Sequence, residues 1–269
     1  MTVQTPSPEV ILSLASQLAD VAAEQTLKWF RAPALVTQNK WAEGFDPVTE
    51  ADRAAEAAMR ALLKVQRPDD SVIGEEAQNT VGTSGLSWVL DPIDGTRGYV
   101  SGTPTWGTLI ALNDGQQPIF GVIDQPYTAE RFVGGLGMAF LERHGVKTPL
   151  ATRKTRHLSQ ATIFTTFPEV GSPLEAEAFH TVAEQCQLTR YGMDCYAYAL
   201  LAAGQIDLVI EAGLQAYDIQ APMALVQAAG GVVSDWRGGN PMNGGRCICA
   251  ATPELHAAAL EILREVPLG

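Results

Sequence analysis

Apolar residues recur at helical spacing near the start of the chain, and Ile11, Leu12, Leu14, Ala15 and Leu18 predict a first helix over residues 8–30. A second stripe, Ala55, Met59, Leu62 and Leu63, predicts a helix beginning at Thr49, which can cap it with Asp52 three residues on. The period then shortens. Gly, Pro and Asn separate apolar runs at 88–90, 108–112, 118–123, 130–133 and 138–141, which predict a meandering antiparallel sheet with helices on one side. A polar, basic stretch over 148–158 is the candidate boundary between two parts, residues 1–148 and 149–269. Beyond it, strands at 162–165, 206–210, 232–234 and 247–250 alternate with helices at 174–186, 196–203, 217–229 and 253–265, the pattern of α/β layering.

Composition narrows the function classes. Thirty acidic residues against eighteen basic ones leave a formal charge of −12, a field that repels nucleic acid and anionic membranes. No apolar run approaches the ~18 residues of a membrane helix. The opening Met1-Thr2-Val3-Gln4-Thr5-Pro6 has neither the basic nor the apolar region of a signal peptide, so the expected location is the cytoplasm. Cys186, Cys195, Cys247 and Cys249 form no Cys-x-x-Cys pair and the four histidines are scattered, which points to reduced, buried thiols rather than zinc.

The chemistry concentrates in acidic segments. An apolar strand, Trp88-Val89-Leu90, runs into Asp91-Pro92-Ile93-Asp94-Gly95-Thr96. Pro92 stiffens the turn and Gly95 permits a tight backbone path, so Asp91, Asp94 and the Ile93 carbonyl can converge on one hard cation. Oxygen-only ligands suit magnesium, and bound cations reconcile an acidic protein with a phosphate ligand. A helix starting near Gly95 would add free N–H groups for an anion. Gly74-Glu75-Glu76 follows the apolar pair Val72-Ile73, and Asp218 opens the helix after Tyr217. Singly, these read as a solvated pair and a helix-start charge.

Together these segments resemble the inositol monophosphatase-like family of metal-dependent phosphatases. The segments Val48-Thr49-Glu50-Ala51-Asp52, Gly74-Glu75-Glu76, Asp91-Pro92-Ile93-Asp94-Gly95-Thr96 and that around Asp218 occur in the family's order, followed by Ala228-Ala229-Gly230-Gly231. The resemblance implies a layered α-β-α-β-α sugar-phosphatase-type fold, two or three Mg2+ ions, a small phosphorylated substrate and a homodimer. It assigns Glu75, Asp91 and the Ile93 carbonyl to a first metal, and Asp91, Asp94 and Asp218 to a second. Glu75 with Asp52 would complete a weaker third. Glu75 and Thr96 would orient and activate a water for in-line attack, and the Gly95 and Thr96 N–H groups would hold phosphate oxygens.

Within the family, Asp194-Cys195-Tyr196-Ala197-Tyr198 and Asp207-Leu208-Val209-Ile210-Glu211 are most similar to the branch acting on histidinol phosphate, which implies a place in histidine biosynthesis. Acids at Asp194 and Glu211 suit that substrate's ammonium and imidazole; Asp194 as a plain helix cap is the alternative. Tyr217 replaces the family's usual Trp, Met193 a glycine, and the lysine upstream of the first motif is matched only loosely by Lys40. Inositol-1-phosphate and other small monoesters remain open as substrates, as does a non-catalytic metal- or phosphate-binding module.

Other phosphatase signatures fit less well. Asp91 and Asp94 are separated by two residues, where haloacid-dehalogenase phosphatases have one. Arg143-His144-Gly145 imitates a histidine-phosphatase motif but reads as a hairpin turn. No Gly-x-Ser-x-Gly elbow is present, and neither Cys186 nor Cys195 has Arg six residues on.

Overall fold

Helix α1 (Pro8–Trp29) starts with proline at its first position and buries Ile11, Leu14, Ala15, Leu18 and Ala22 along one stripe. Its partner α2 (Glu50–Gln66) is entered through a capping box: the Thr49 side chain accepts from the Ala51 N–H, and Asp52 bonds back to the Thr49 N–H. The structure, a computed structural model, describes residues 5–33, 37–39 and 47–267; Lys40 lies outside them. The short strands β1 (Thr37–Asn39) and β2 (Pro47–Thr49) pair antiparallel just before α2.

The first large sheet runs in chain order through β3 (Ser71–Gly74), β4 (Ser87–Asp94), β5 (Gly107–Asn113), β6 (Pro118–Gln125), β7 (Glu130–Gly135), β8 (Met138–Arg143) and β9 (Val146–Pro149). It is the predicted meander, except that β3 joins β4 in parallel. The short helix α3 (Thr96–Ser101) connects β4 to β5. His144 and Gly145 form the β8–β9 hairpin turn, both at positive φ, as the sequence predicts.

The second sheet has the order β11-β10-β12-β14-β13, built from β10 (Thr162–Thr165), β11 (Leu188–Tyr191), β12 (Leu208–Leu214), β13 (Val232–Ser234) and β14 (Gly245–Ala250). β10 is parallel to β11 and β12, while β14 is antiparallel to its neighbours. Helices α4 (Pro173–Ala183), α5 (Cys195–Ala202), α6 (Ala216–Ala228) and α7 (Pro253–Leu263) interleave with these strands.

Three buried clusters define the stacking. Leu18, Met59, Trp88, Ile110 and Phe120 join α1 and α2 to one face of the first sheet. Val89, Leu109, Phe132, Leu201, Leu225 and Val209 join its other face to α5, α6 and the second sheet. Phe179, Ile163, Ile210 and Leu255 seal the outer face of the second sheet under α4 and α7. The chain is therefore a five-layer α-β-α-β-α stack. Helices on one side of the first sheet only, as its meander predicts, is corrected: α6 packs on β5, β6 and β7 from the opposite face. The reason is visible in β5, where every residue is buried rather than alternate ones.

Cys195, Cys247 and Cys249 are buried and Cys186 half-buried, all as free thiols. Among the described residues no helix is long and apolar enough to cross a membrane.

Candidate active site

Strand β4 does not stop at Leu90 but continues through Asp94, and its ladder with β5 slips between Asp91 and Asp94. In a regular strand, side chains three apart face opposite ways. The bulge cancels that alternation, and Pro92, which has no N–H to donate, sits where the ladder is broken. Its carbonyl instead accepts from the Thr108 hydroxyl at 2.8 Å. As a result Asp91 and Asp94 each offer a carboxylate oxygen to a common point with Asp218, all three within 4.8 Å of one another.

Each aspartate of the site has one oxygen fixed by a backbone N–H. Ile93 N donates to Asp91 Oδ1 at 3.0 Å, Cys195 N to Asp94 Oδ2 at 2.6 Å, and Gln215 N to Asp218 Oδ2 at 2.7 Å. Thr49 N donates to Asp52 Oδ2 at 2.8 Å, and Asp52 Oδ1 is buried with no hydrogen-bond partner. The scaffold thus aims the carboxylates from three separate elements, β4, α2 and α6. Gly95 takes φ +83°, and a Cβ there would lie 3.0 Å from the Asp194 side chain, so both the turn and the close approach require glycine. Thr96 donates its hydroxyl to the Ile93 carbonyl at 3.0 Å, while the Ile93 side chain is buried beside Phe30, Tyr99 and Trp106.

Electrostatics mark the cluster as one that needs neutralising. Loss of solvent pushes Asp91 well above the usual carboxylate range, and the charges of Glu75, Asp94, Asp218 and Asp52 add to it. Asp94 is raised in the same way by burial and by Asp194 and Asp218, against the Cys195 N–H. Burial, with Glu75 adding, pushes Asp52 up to about 6 despite its bonds to Thr49. Crowded buried carboxylates must hold protons or a cation. An all-oxygen donor set with an orphaned Asp52 oxygen fits magnesium.

A cavity of about 510 Å³ opens over this cluster, lined by Glu75, Asp94, Gly95, Thr96, Asp194, Glu211 and Asp218. Asp91 and Asp52 lie beneath it, 1% exposed. The sequence-predicted residues are therefore brought together. Asp194 stands at the N-cap position of α5 with φ +46°, but its side chain makes no capping hydrogen bond to the helix. Burial raises Asp194 to about 6, opposed by the nearby Arg97 guanidinium. Glu211 accepts from the Thr165 hydroxyl at 3.1 Å and from the Thr166 N–H and hydroxyl at 2.7 and 2.9 Å; burial still raises it to about 7.

Sequence reasoning missed three contributors. Arg97 and Phe167 both line the cavity, the guanidinium 4.7 Å from the ring centre, and Phe167 is 43% exposed. An aromatic in an otherwise polar loop was the available signal. Glu56, one turn after Asp52, is 1% exposed and accepts from the Glu76 and Ala77 N–H groups beside Glu75. Its spacing of four from Asp52 was the signal there.

Residues 7–268 match the model of the inositol monophosphatase family. The chain is 39% identical over 233 residues to the chloroplastic bifunctional phosphatase IMPL2 of Arabidopsis thaliana, a match covering 84% of this chain and 64% of that relative. It is 34% identical to the histidinol-phosphatase of Streptomyces coelicolor, covering 94% and 97% of the two chains. Among solved structures, an inositol monophosphatase from Zymomonas mobilis superposes with a TM-score of 0.84 at 38% identity, covering 97% of this chain and all of that one.

Proposed function

The chain belongs to the inositol monophosphatase family of phosphatases, and on that premise we propose that it is a magnesium-dependent hydrolase of histidinol phosphate, releasing histidinol and phosphate. The observation that carries the substrate is the pairing, in one cavity, of the aspartate cluster with two further acids, Asp194 and Glu211. A phosphate end suits the cluster once cations neutralise it, and a cationic organic end suits the two acids. The exposed Phe167 ring offers a flat wall to an imidazole.

In this reading Glu75, Asp91 and the Ile93 carbonyl hold one ion, Asp91, Asp94 and Asp218 a second, and Glu75 with Asp52 a third. Magnesium, when bound there, supplies Lewis acidity and neutralises charge at the phosphate. Glu75 and Thr96 orient a water in line with the scissile P–O bond, Glu75 taking its proton. The Gly95 and Thr96 N–H groups hold non-bridging oxygens while the P–O bond to carbon breaks, and the leaving oxygen takes up a proton. Asp194 and Glu211 fix the organic end so that the phosphorus stays over the cluster. The same reading expects two halves, 1–148 and 149–269, a cytoplasmic homodimer, and a place in histidine biosynthesis.

Inositol-1-phosphate is the second reading, favoured by the Thr165 and Thr166 hydroxyls gathered around Glu211, a set that also suits a polyol. Magnesium-dependent phosphate release from both substrates, measured side by side, decides. A preference for histidinol phosphate of about 100-fold, about 2.7 kcal/mol, is expected. Comparable or reversed rates discard the acidic recognition site and keep the phosphatase. Phosphate binding without release from any small monoester would point to a non-catalytic module.

A further inference from the structure

Helix α2 presents Asp52, Glu56 and Arg60 at intervals of four, one above another on a single face. Both acids are 1% exposed. A buried carboxylate is costly unless its oxygens are bonded, so where the Glu56 bonds go is informative. One oxygen, Oε1, accepts from Arg60 Nε at 2.7 Å and from Ala77 N at 3.1 Å. The other, Oε2, accepts from Glu76 N at 2.7 Å. Arg60 closes the ring by donating from Nη2 to the Ala77 carbonyl at 3.3 Å. The gap on the far side is filled as well: a Cβ at Gly74 would stand 2.4 Å from Glu56 Oε1 and 2.8 Å from Arg60 Nη2. Glycine there lets the turn press directly against the acid.

The turn so gripped is the one that carries Glu75. Strand β3, which ends at Gly74, is the edge of its sheet and pairs with β4 alone among the strands, so its ladder stops one residue short of Glu75. Beyond that point the backbone is held from α2. The same helix supplies Asp52, whose acidity Glu75 already influences. Two adjacent turns of α2 therefore carry one acid of the cluster and the anchor of another.

We propose that Glu56 is a positioning residue: its carboxylate fixes the 74–77 turn so that Glu75 faces Asp52 and Asp91 at the spacing cations require. It touches neither substrate nor ion, and the inference rests on reading Glu75 as a metal ligand. Glu56→Gln preserves shape but replaces one acceptor oxygen with an N–H donor, which must face a donor in the clamp. The turn is then released on one side while the helix and its apolar stripe stay as they were.

The test is a direct Mg2+ titration by calorimetry, with thermal unfolding in chelator beside it. Glu56→Gln is expected to weaken Mg2+ binding on the order of ten-fold, to lower the metal-free unfolding midpoint as well because a buried N–H then faces a donor, and to recover turnover at high Mg2+. Glu56→Asp, which keeps the charge but falls short of both N–H groups, is expected between the two. A merely structural residue would shift the midpoint and leave the affinity alone, and that result overturns the proposal. Glu75→Gln separates the two layers of argument. If it too leaves Mg2+ binding unchanged, the reading of Glu75 has failed; if it weakens binding and Glu56→Gln does not, the positioning role has failed. Should Glu56→Gln not fold, Arg60→Gln loosens the same clamp from its half-buried side. Weakened Mg2+ binding in that variant supports the proposal, and parental affinity sinks it.

Discussion

Asp91 and Asp94 converge with Asp218 because the β4 ladder slips between them, and each is held by a backbone N–H that an amide oxygen can still accept. Asp91→Asn and Asp94→Asn should therefore keep the fold while removing a charge the cation needs. We expect turnover to fall by about 10²–10³-fold or more, with chelated protein unfolding no earlier than the parent, because the self-repulsion raising both groups is relieved. Unchanged magnesium-dependent turnover in both variants sinks the metal assignment. These residues were legible in the sequence because Asp-Pro-Ile-Asp-Gly-Thr is a local signal, compressed into one strand end. Glu56, Arg97 and Phe167 were not, because each acquires its role through a neighbour far away in the chain: Glu56 through the turn at 76–77, Arg97 through a ring seventy residues on. Asp194 was legible as a charge but not as a backbone at φ +46°.

Among the elements, α6 joins fold to site, since Asp218 stands in its first turn while its body lies across the first sheet. Two strand glycines make that approach possible. A Cβ at Gly121 would meet the Ala221 carbonyl oxygen at 2.3 Å, and one at Gly134 the Leu225 Cα at 2.4 Å. Backbone cannot yield as a side-chain tip does, so Gly121→Ala must push α6 off β6. We expect a loss of about 1–3 kcal/mol in urea unfolding, accompanied by a higher Mg2+ requirement as Asp218 moves with the helix. A variant with parental stability would show that the two elements are not in close register. Periodicity predicted this helix and both strands. It could not predict their contact, because a glycine inside a strand signals close approach without naming the partner. Strands β9 and β11 escaped for another reason: β9 is exposed throughout and β11 nearly so, which leaves no apolar alternation to read.

Across the whole molecule, the five layers bring acids from both sheets and from α2 and α6 to one cavity, in a chain already at a formal charge of −12. Such a site stores repulsion that protons or cations must relieve, and the two relieve it at different pH. Asp52 rises from its ordinary 3.8 to about 6, and Asp91 and Asp94 rise further than the usual carboxylate range. A carboxylate that holds its proton more tightly when folded stabilises the fold at low pH, and that contribution is lost as pH climbs through the folded value. For Asp52 the window is about 4 to 6, and Asp91 and Asp94 lose their contribution in the same sense as pH climbs. Glu175, lowered by its capping bonds and Arg246, works in the opposite sense but lies outside the cluster, so it acts equally with and without metal. The discriminating quantity is therefore the difference between unfolding midpoints in Mg2+ and in chelator. At pH 4 protons already occupy the cluster and Mg2+ should add little. As they leave, the metal-free protein loses stability that Mg2+ restores by binding the folded state alone. The Mg2+-dependent shift in midpoint, followed by scanning calorimetry, should grow steadily from about pH 4 through 6. A shift that is constant across that range would mean that the cation binds away from Asp52, Asp91 and Asp94.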